Sequence, residues 1–198
     1  SQGKDPGFYF QYSTNEKVAL EFAAAAAVSG LRALTCMKHV GLNVASDAFM
    51  TYMYVGCRAG HIIVSADDPS CHSSQNEQDN RYYAKFGHAP MLEPSTAQEA
   101  KDMVMAGFDI SEELKLPLLF RMTTRSSHVR GPVTLGVMPF TKRVGHFDKD
   151  PMMVTVPAVA RQQHPVLLEK MERAAELSEK SPFNRVEEYG GAIGIVTS

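Results

Sequence analysis

Residues 61–66, His-Ile-Ile-Val-Ser-Ala, form an almost unbroken apolar run that stops at the polar residues 67–70, Asp-Asp-Pro-Ser. A short apolar run bounded by turn residues is typical of a strand in the interior of a parallel sheet, where both faces are covered. Two further apolar runs, at 31–37 upstream and 118–122 downstream, have the same character. The three runs predict strands of one sheet.

Helical segments alternate with these strands. Ser13 is predicted to open the first helix as the N-cap of a capping box with Glu16, and the helix ends at Gly30. A similar capping box is predicted at 95–98. The aromatic residues at 8–12 predict a first, short strand. Further helices are predicted over about 44–57 and 79–86. Strands that alternate with helices predict an α/β fold with a mainly parallel sheet and right-handed crossovers.

The pattern changes after Gly131, where prolines interrupt a stretch with few periodic signals. An amphipathic helix is predicted over about 165–179, and a final buried strand over 192–198. We expect one domain over residues 1–130 and an extended linker with a helix over 131–198. The absence of an initial Met, and a chain that stops inside a predicted strand, favour a fragment cut near a domain boundary.

Composition argues against several classes of protein. The formal net charge of -2 gives no electrostatic case for nucleic-acid binding. No apolar run reaches the roughly 20 residues of a membrane span. Three scattered cysteines, Cys36, Cys57 and Cys71, argue against a disulfide scaffold and favour the reducing cytoplasm. Because no CxxC or HExxH pattern occurs, we expect no metal or iron–sulfur site in this chain.

Four polar segments adjoin the predicted strands, at 13–16, 38–43, 67–78 and 123–128. In open α/β sheets, ligands bind outside the carboxyl ends of the strands. The segments therefore predict a site at one edge of the sheet. The segment at 67–78 carries hydroxyl, amide, imidazole and carboxylate groups, but from composition alone a solvated surface loop is the favoured interpretation.

Seven stretches of the sequence are distinctive. They are Ser-Thr-Asn-Glu-Lys-Val-Ala-Leu-Glu at 13–21, Met-Lys-His-Val-Gly-Leu-Asn-Val-Ala at 37–45, Ala-Asp-Asp-Pro-Ser-Cys-His-Ser-Ser-Gln-Asn-Glu-Gln-Asp at 66–79, 81–84, 91–95, 123–128 and 181–187. Together they resemble one enzyme family, the indolepyruvate type of 2-oxoacid:ferredoxin oxidoreductase, in its alpha subunit. Long matched strings of this kind are more specific than a short motif, and the resemblance covers nearly the whole chain in order.

The resemblance implies a three-layer fold that binds the pyrimidine ring of thiamine diphosphate (the Pyr type), with part of its N-terminal region missing. It implies oxidative decarboxylation of an aryl pyruvate to acyl-CoA and CO2, with ferredoxin as electron acceptor and coenzyme A as acyl acceptor. The chain lacks the family's Gly-Asp-Gly…Asn motif, its cluster cysteines and its Tyr-Pro-Gly-Thr-Pro loop. The resemblance thus implies that magnesium and iron–sulfur clusters are bound elsewhere. It further implies a homodimer, a smaller beta subunit, and inactivity of this chain alone.

The resemblance assigns Glu16 to N1′ of the aminopyrimidine. A carboxyl group in a dry pocket has a raised pKa and can share a proton with a ring nitrogen. The competing interpretation is that Glu16 only caps the helix. The resemblance also places other residues near the cofactor or the substrate, although caps and surface ion pairs remain alternatives. The cofactor side comprises Lys38, His39 and Asn43; the substrate side comprises His72, Ser73, Gln75, Asn76 and Arg125.

Two other functions remain open at the level of sequence. The chain can be a non-catalytic module that dimerises without cofactor. It can also belong to an enzyme that performs the same chemistry on pyruvate, phenylglyoxylate or another 2-oxoacid.

Overall fold

The computed structural model of the chain describes residues 8–136 and 143–195. Strands and helices alternate over the first two thirds of the chain, and one long helix follows. The elements are α1 (Glu16–Val28), β1 (Ala33–Lys38), α2 (His39–Val44), α3 (Ser46–Val55), β2 (His61–Asp67), α4 (Arg81–Gly87), β3 (Met91–Leu92), α5 (Ala97–Leu114), β4 (Leu118–Thr123), α6 (Thr124–His128), a 3₁₀ turn (Pro151–Met153) and α7 (Pro157–Glu179).

The four strands form one sheet in the order β1-β2-β4-β3, and every pair of neighbours is parallel. The apolar run at 61–66 lies in the interior strand β2, where Val64 is in register with Cys36 of β1 and Phe120 of β4. The predicted α/β class with a mainly parallel sheet is therefore confirmed. Because all four strands run in one direction, their carboxyl ends meet at one edge.

Helices cover both faces of the sheet and produce three layers. Successive residues of a strand point to opposite faces. Ile63 accordingly belongs to the core shared with α1, α2 and α3, which includes Leu20, Leu42 and Phe49. Its neighbour Ile62 packs on the other face with Met103 of α5.

Several local predictions are wrong. Residues 8–12 form no strand, and their aromatic rings are largely exposed, because no neighbouring strand pairs with them. The helix predicted over about 44–57 is confirmed as α3, but the short helix α2 that precedes it and meets it at Ala45 was not predicted. Of the predicted final strand, residues 192–195 have no regular structure, and 196–198 lie outside the described residues.

The last helix is longer than predicted and packs on the domain. α7 begins at Pro157, eight residues before the expected start, and contains Pro165 in its interior. Leu167 is buried in the main core, and Lys170 donates a hydrogen bond to the Lys115 carbonyl at 3.1 Å. The extended segment before α7 is attached by the His146 N–H, which donates to the Ser29 carbonyl at 2.8 Å. In the described part of the chain, no helix has the length and apolar character needed to cross a membrane.

Candidate functional site at the carboxyl edge of the sheet

Glu16 is the first residue of α1, and it does not cap this helix. The N-cap is Asn15, whose side-chain oxygen accepts a hydrogen bond from the Val18 N–H at 2.9 Å. The capping box predicted between Ser13 and Glu16 is therefore wrong. Since three consecutive residues, at 13–15, can each act as an N-cap, the sequence alone does not fix which one does.

The half-buried side chain of Glu16 lies directly on the backbone of Gly41 in α2. A Cβ atom placed on Gly41 would be 2.5 Å from Cγ and 3.0 Å from Oε1 of Glu16. Glycine is therefore required for the observed position of the carboxylate. None of the described residues donates a hydrogen bond to this carboxylate, so its oxygens remain available to a ligand.

His39, at the start of α2, is surrounded by backbone. Its side chain is fully buried, and its ring nitrogens face two backbone carbonyls, Nε2 that of Asn76 at 3.0 Å and Nδ1 that of Ala66 at 3.3 Å. A neutral imidazole can donate to only one of these two carbonyls at a time. The contact expected between His39 and the cofactor stays a prediction.

Lys38 and Asn43 connect α2 to the loop that follows β2. The Lys38 ammonium donates to the Ser73 carbonyl at 3.1 Å. The Asn43 amide donates to the Gln78 side-chain oxygen at 2.8 Å, and the Tyr83 hydroxyl donates to the Asn43 oxygen at 2.7 Å. Lys38 is half-buried and Asn43 is exposed, so both residues border the site while holding the loop.

The loop between β2 and α4, residues 68–80, is folded around the carboxylate of Asp68. This group accepts hydrogen bonds from the His72 N–H at 3.1 Å, the Ser73 N–H at 2.8 Å and the Ser74 hydroxyl at 2.7 Å. The Ser73 N–H contributes most to holding the pKa of the Asp68 carboxyl well below its ordinary value, and Ser74 adds to it. Hydrogen bonds between residues of the loop itself thus hold its conformation.

The four predicted substrate-side residues of this loop are all exposed. Ser70 and Cys71, just before them, have φ values of 68° and 52°, in the left-handed region that disfavours side chains with a Cβ. Asp68 and Glu77 hold this strained turn, because the Glu77 carboxylate accepts a hydrogen bond from the Ser70 N–H at 3.0 Å. The exposed residues are His72, Ser73, Gln75 and Asn76.

A buried arginine fixes both ends of the loop. Arg121 of β4 donates from Nε to the Asp67 carboxylate at 2.6 Å, and the same nitrogen is 3.7 Å from Asp79. Its Nη1 pairs with Glu93. Asp67 ends β2 and Asp79 directly precedes Asn80, so one guanidinium holds the two points where the loop leaves and rejoins the body of the domain. Sequence reasoning did not identify this role.

Asn80 completes the buried network beneath the loop. Its backbone N–H donates to Asp67 at 2.9 Å, and its side-chain amide donates to the Ser65 hydroxyl at 2.7 Å. The Gln78 amide donates to the Asn80 side-chain oxygen at 2.7 Å and to the His39 carbonyl at 2.9 Å. Buried polar groups with satisfied hydrogen bonds specify one arrangement, so this network fixes the position of α2 relative to the loop.

The fourth polar segment forms the short helix α6 at the end of β4. Thr123 caps it in a reciprocal capping box with Ser126, and the Thr124 hydroxyl donates to Asp68 at 2.7 Å. Arg125 is exposed, and among the described residues no carboxylate pairs with it. Hydrogen bonds thus join the segments at 38–43, 67–78 and 123–128, while Glu16 joins them through its contact with Gly41.

Two cavities lie outside this cluster. An apolar cavity of about 270 Å³ lies between α7 and the β3 side of the sheet, where Met91, Leu114 and Met171 are among its lining residues. An open cleft of about 490 Å³ between α3 and α4 is lined by the aromatic rings of Tyr82, Tyr83 and Phe86 together with residues of α3. Among the described residues, no three His, Cys, Asp or Glu side chains are grouped to hold a metal ion.

The chain is similar over almost its whole length to curated proteins of one name. It is 52% identical over 200 residues to indolepyruvate oxidoreductase subunit IorA of Thermococcus kodakarensis and 54% identical to that of Pyrococcus horikoshii. Each match covers 98% of this chain and 31% of the relative, so the chain spans about a third of the length of these relatives. No protein-family model matches the chain.

Among solved structures, the fold is similar to 2-oxoglutarate:ferredoxin oxidoreductase from Magnetococcus marinus, with a TM-score of 0.58. The match covers 92% of this chain and 38% of that one, at 14% sequence identity. Such a low identity shows the fold alone. With the three layers and the parallel sheet, it confirms the predicted thiamine-diphosphate-binding (Pyr-type) fold with a C-terminal arm and helix.

Proposed function

Because this chain is a homologue of one third of indolepyruvate oxidoreductase subunit IorA, we propose that it is the pyrimidine-binding part of a thiamine-diphosphate-dependent 2-oxoacid:ferredoxin oxidoreductase. The proposed reaction is the oxidative decarboxylation of an aryl pyruvate such as indolepyruvate to acyl-CoA and CO2. Support comes from about 50% identity over nearly the whole chain and from the fold shared with an oxidoreductase that acts on another 2-oxoacid.

The position of Glu16 is the observation that carries this proposal. Its carboxylate is free of the helix cap, accepts no hydrogen bond from a described residue, and rests on a glycine. A glutamate that serves in a capping box bonds to the N–H of the N-cap residue, and Glu16 makes no such bond. A carboxylate that is half-buried and open on one side is suited to hold a proton shared with a ring nitrogen of a ligand.

The residues around Glu16 fit an aminopyrimidine. Glu16 would share the proton, while Lys38 and Asn43 border the same part of the site and are held by hydrogen bonds to the loop. His39 would hold the start of α2 against β2 and the loop, because its ring nitrogens face the Ala66 and Asn76 carbonyls. When bound, thiamine diphosphate supplies the nucleophile and the electron sink that decarboxylation of a 2-oxoacid requires.

The loop at 72–76 and helix α6 are proposed to form the substrate side. Arg125 is exposed at the carboxyl end of β4, and a guanidinium can bind a carboxylate through two parallel hydrogen bonds. We propose this role for Arg125 toward the carboxylate of the oxoacid. The exposed polar side chains of His72, Ser73, Gln75 and Asn76 would shape the rest of that surface.

The remaining parts of the reaction are assigned to regions outside this chain. The relatives are about three times as long as the chain. We propose that magnesium, the diphosphate of the cofactor and the iron–sulfur clusters are bound there, and that a smaller beta subunit, ferredoxin and coenzyme A complete the system in the cytoplasm. On this proposal residues 1–130 are the pyrimidine-binding domain, 131–198 connect it to the next one, and the chain alone is inactive.

Anaerobic reduction of ferredoxin by the full-length subunit, assembled with its partner subunit, tests the proposed function. Indolepyruvate, pyruvate and phenylglyoxylate are compared in the presence of coenzyme A, with and without thiamine diphosphate. The proposal predicts cofactor-dependent reduction with the highest kcat/KM for indolepyruvate. A preference for pyruvate or phenylglyoxylate would reassign the substrate, and no reduction with any 2-oxoacid would contradict the proposal.

A non-catalytic module that dimerises is the second candidate, favoured by one surface. The segment before α1 and the outer side of α1 expose aromatic rings, and Tyr9 contacts Phe22 with ring centroids 6.1 Å apart. Large contiguous apolar surfaces mark interaction sites. Since the proposed enzyme would also be a homodimer, dimerisation does not separate the two candidates, whereas the ferredoxin assay does. The exposed rings are Phe8, Tyr9, Phe10, Tyr12 and Phe22.

A further inference from the structure

Thr124 and Asp68 connect two parts of the site that are 56 residues apart in sequence. The Thr124 hydroxyl donates to Oδ1 of Asp68 at 2.7 Å, and the same oxygen accepts the His72 N–H at 3.1 Å. The other oxygen, Oδ2, accepts the Ser73 N–H and the Ser74 hydroxyl. One nearly buried carboxylate therefore joins α6 to the backbone of the 68–80 loop.

The contact continues from the loop to α2. Ser73, whose N–H binds Asp68, presents its carbonyl to the Lys38 ammonium at 3.1 Å. Thr124, Asp68, Ser73 and Lys38 thus form a continuous series from the end of β4 to the end of β1. None of these hydrogen bonds involves Glu16, whose close neighbour is Gly41.

The loop requires such a restraint. Two consecutive residues other than glycine, Ser70 and Cys71, have positive φ angles, and conformations of this kind persist only where surrounding contacts hold them. The bonds that Asp68 accepts from His72, Ser73 and Ser74 lie directly after this turn, and the bond from Thr124 ties the same carboxylate to α6. Removing the bond from Thr124 leaves the other three bonds to Asp68 in place. The loop would therefore become more mobile without unfolding.

We propose that Thr124 is a positioning residue for substrate binding, acting through Asp68 to hold the backbone at residues 72–76 in its binding geometry. This inference rests on the proposed function, because it assigns the loop to the substrate side. Holding a loop in its bound conformation lowers the entropic cost of binding. Loss of the hydroxyl should therefore weaken substrate binding more than it slows the chemical step, which depends on Glu16.

Thr124→Val and Thr124→Ser in the full-length, assembled enzyme form a matched pair, since valine keeps the shape of threonine without the hydroxyl and serine keeps the hydroxyl. We expect Thr124→Val to raise KM for the 2-oxoacid about tenfold with kcat within about twofold of wild type. Thr124→Ser, which keeps the hydroxyl, should have a KM close to that of wild type. Amide hydrogen exchange at residues 70–76 should be faster in Thr124→Val only.

Unchanged KM in Thr124→Val, in an enzyme whose wild type turns over the 2-oxoacid, would overturn the inference even if the variant were less stable. If Thr124→Val does not fold, Ser74→Ala decides the matter, because it removes the other hydroxyl donor to Asp68. A raised KM in Ser74→Ala supports the inference and an unchanged KM overturns it. Absence of turnover in the wild type would instead be a failure of the proposed function.

Discussion

Glu16 and Gly41 are in such close contact that a Cβ on Gly41 would lie 2.5 Å from Cγ of Glu16. The contact joins the first turn of α1 to α2, two helices that lie on opposite sides of β1 in the sequence. The position of the carboxylate thus depends on the absence of a side chain at residue 41.

Gly41→Ala should displace Glu16 and lower turnover. A shift of about 1 Å at a reacting group can cost roughly 100-fold in rate, and we expect a loss of about 10- to 100-fold in kcat. Alanine favours a helix over glycine by about 1 kcal/mol, so α2 itself should not be weakened. The measurement is kcat of the full-length enzyme together with its melting temperature.

Gly131→Ala is the matched control for this substitution, because no atom lies within 4 Å of a Cβ at that position. It should leave kcat unchanged. Equal activity of Gly41→Ala and Gly131→Ala would show that the contact between Glu16 and Gly41 does not matter for the reaction.

Arg121→Met should destabilise the domain strongly. The substitution leaves the Asp67 carboxylate buried without its cation, and breaking a buried ion pair on one side costs about 3–5 kcal/mol. Denaturant unfolding of the chain measures the loss. Arg173→Met removes an exposed ion pair with Glu113 and should change the free energy of unfolding little. Similar effects of the two substitutions would contradict the role assigned to Arg121.

The chain should become less stable as the pH falls, because of His61. This fully buried side chain lies between the Thr35 and Tyr52 hydroxyls, at 2.8 and 3.1 Å, and burial lowers its pKa from 6.5 to about 3. Between these values the unfolded chain binds a proton that the folded chain does not. The stabilising contribution is therefore present above pH 6.5 and is lost as the pH falls toward 3.

Free energies of unfolding measured between pH 7.5 and 4 test this expectation, together with the NMR shifts of the His61 ring. The ring should show no protonation shift down to about pH 4, and His61→Gln should make the dependence of stability on pH shallower. Protonation of His61 near pH 6.5 in the folded chain would show that the ring is not buried as described.

Three of the four strands of the sheet were predictable because each is a separate apolar run, whereas β3, with only two residues, was not predicted. The run of β2 is fully apolar at Ile62, Ile63 and Val64, and it ends at two aspartates where the strand ends. Because both faces of this strand are covered, its residues are apolar on both sides, and the sequence shows a continuous apolar run and not an alternating one. Residues 8–12 have a β-prone composition but no neighbouring strand to pair with. Composition alone does not show whether such a neighbour exists.

The cap of α1 and the buried ion pairs were not predictable in the same way. Ser13 and Asn15 are both good N-caps, and only the observed bond from the Val18 N–H identifies Asn15 as the one used. Arg121 was interpreted only as part of an apolar strand, although a charged residue at a buried strand position signals a partner. Its partner Asp67 is 54 residues away, a separation at which sequence patterns indicate no pairing.

Three of the four polar segments follow strands of the parallel sheet, and hydrogen bonds join them at its carboxyl edge as predicted; the segment at 13–16 follows no strand and reaches them through the contact of Glu16 with Gly41. The individual roles were less accessible. His39 and Asn43 have side chains that suit a ligand, but their observed partners are Asn76 and Gln78. Asp68 stands before a proline, where an aspartate is an ordinary turn residue, and only its four hydrogen bonds show that it holds the loop.

Glu16→Gln in the full-length, assembled enzyme is the most direct test of the proposed function, with Glu21→Gln on the exposed side of the same helix as its control. The glutamine keeps the shape of the side chain and loses the ability to share a proton, which should lower kcat by at least about 100-fold while the melting temperature stays close to that of wild type. Glu21→Gln should retain full activity. Wild-type turnover in the folded Glu16→Gln variant would contradict the account.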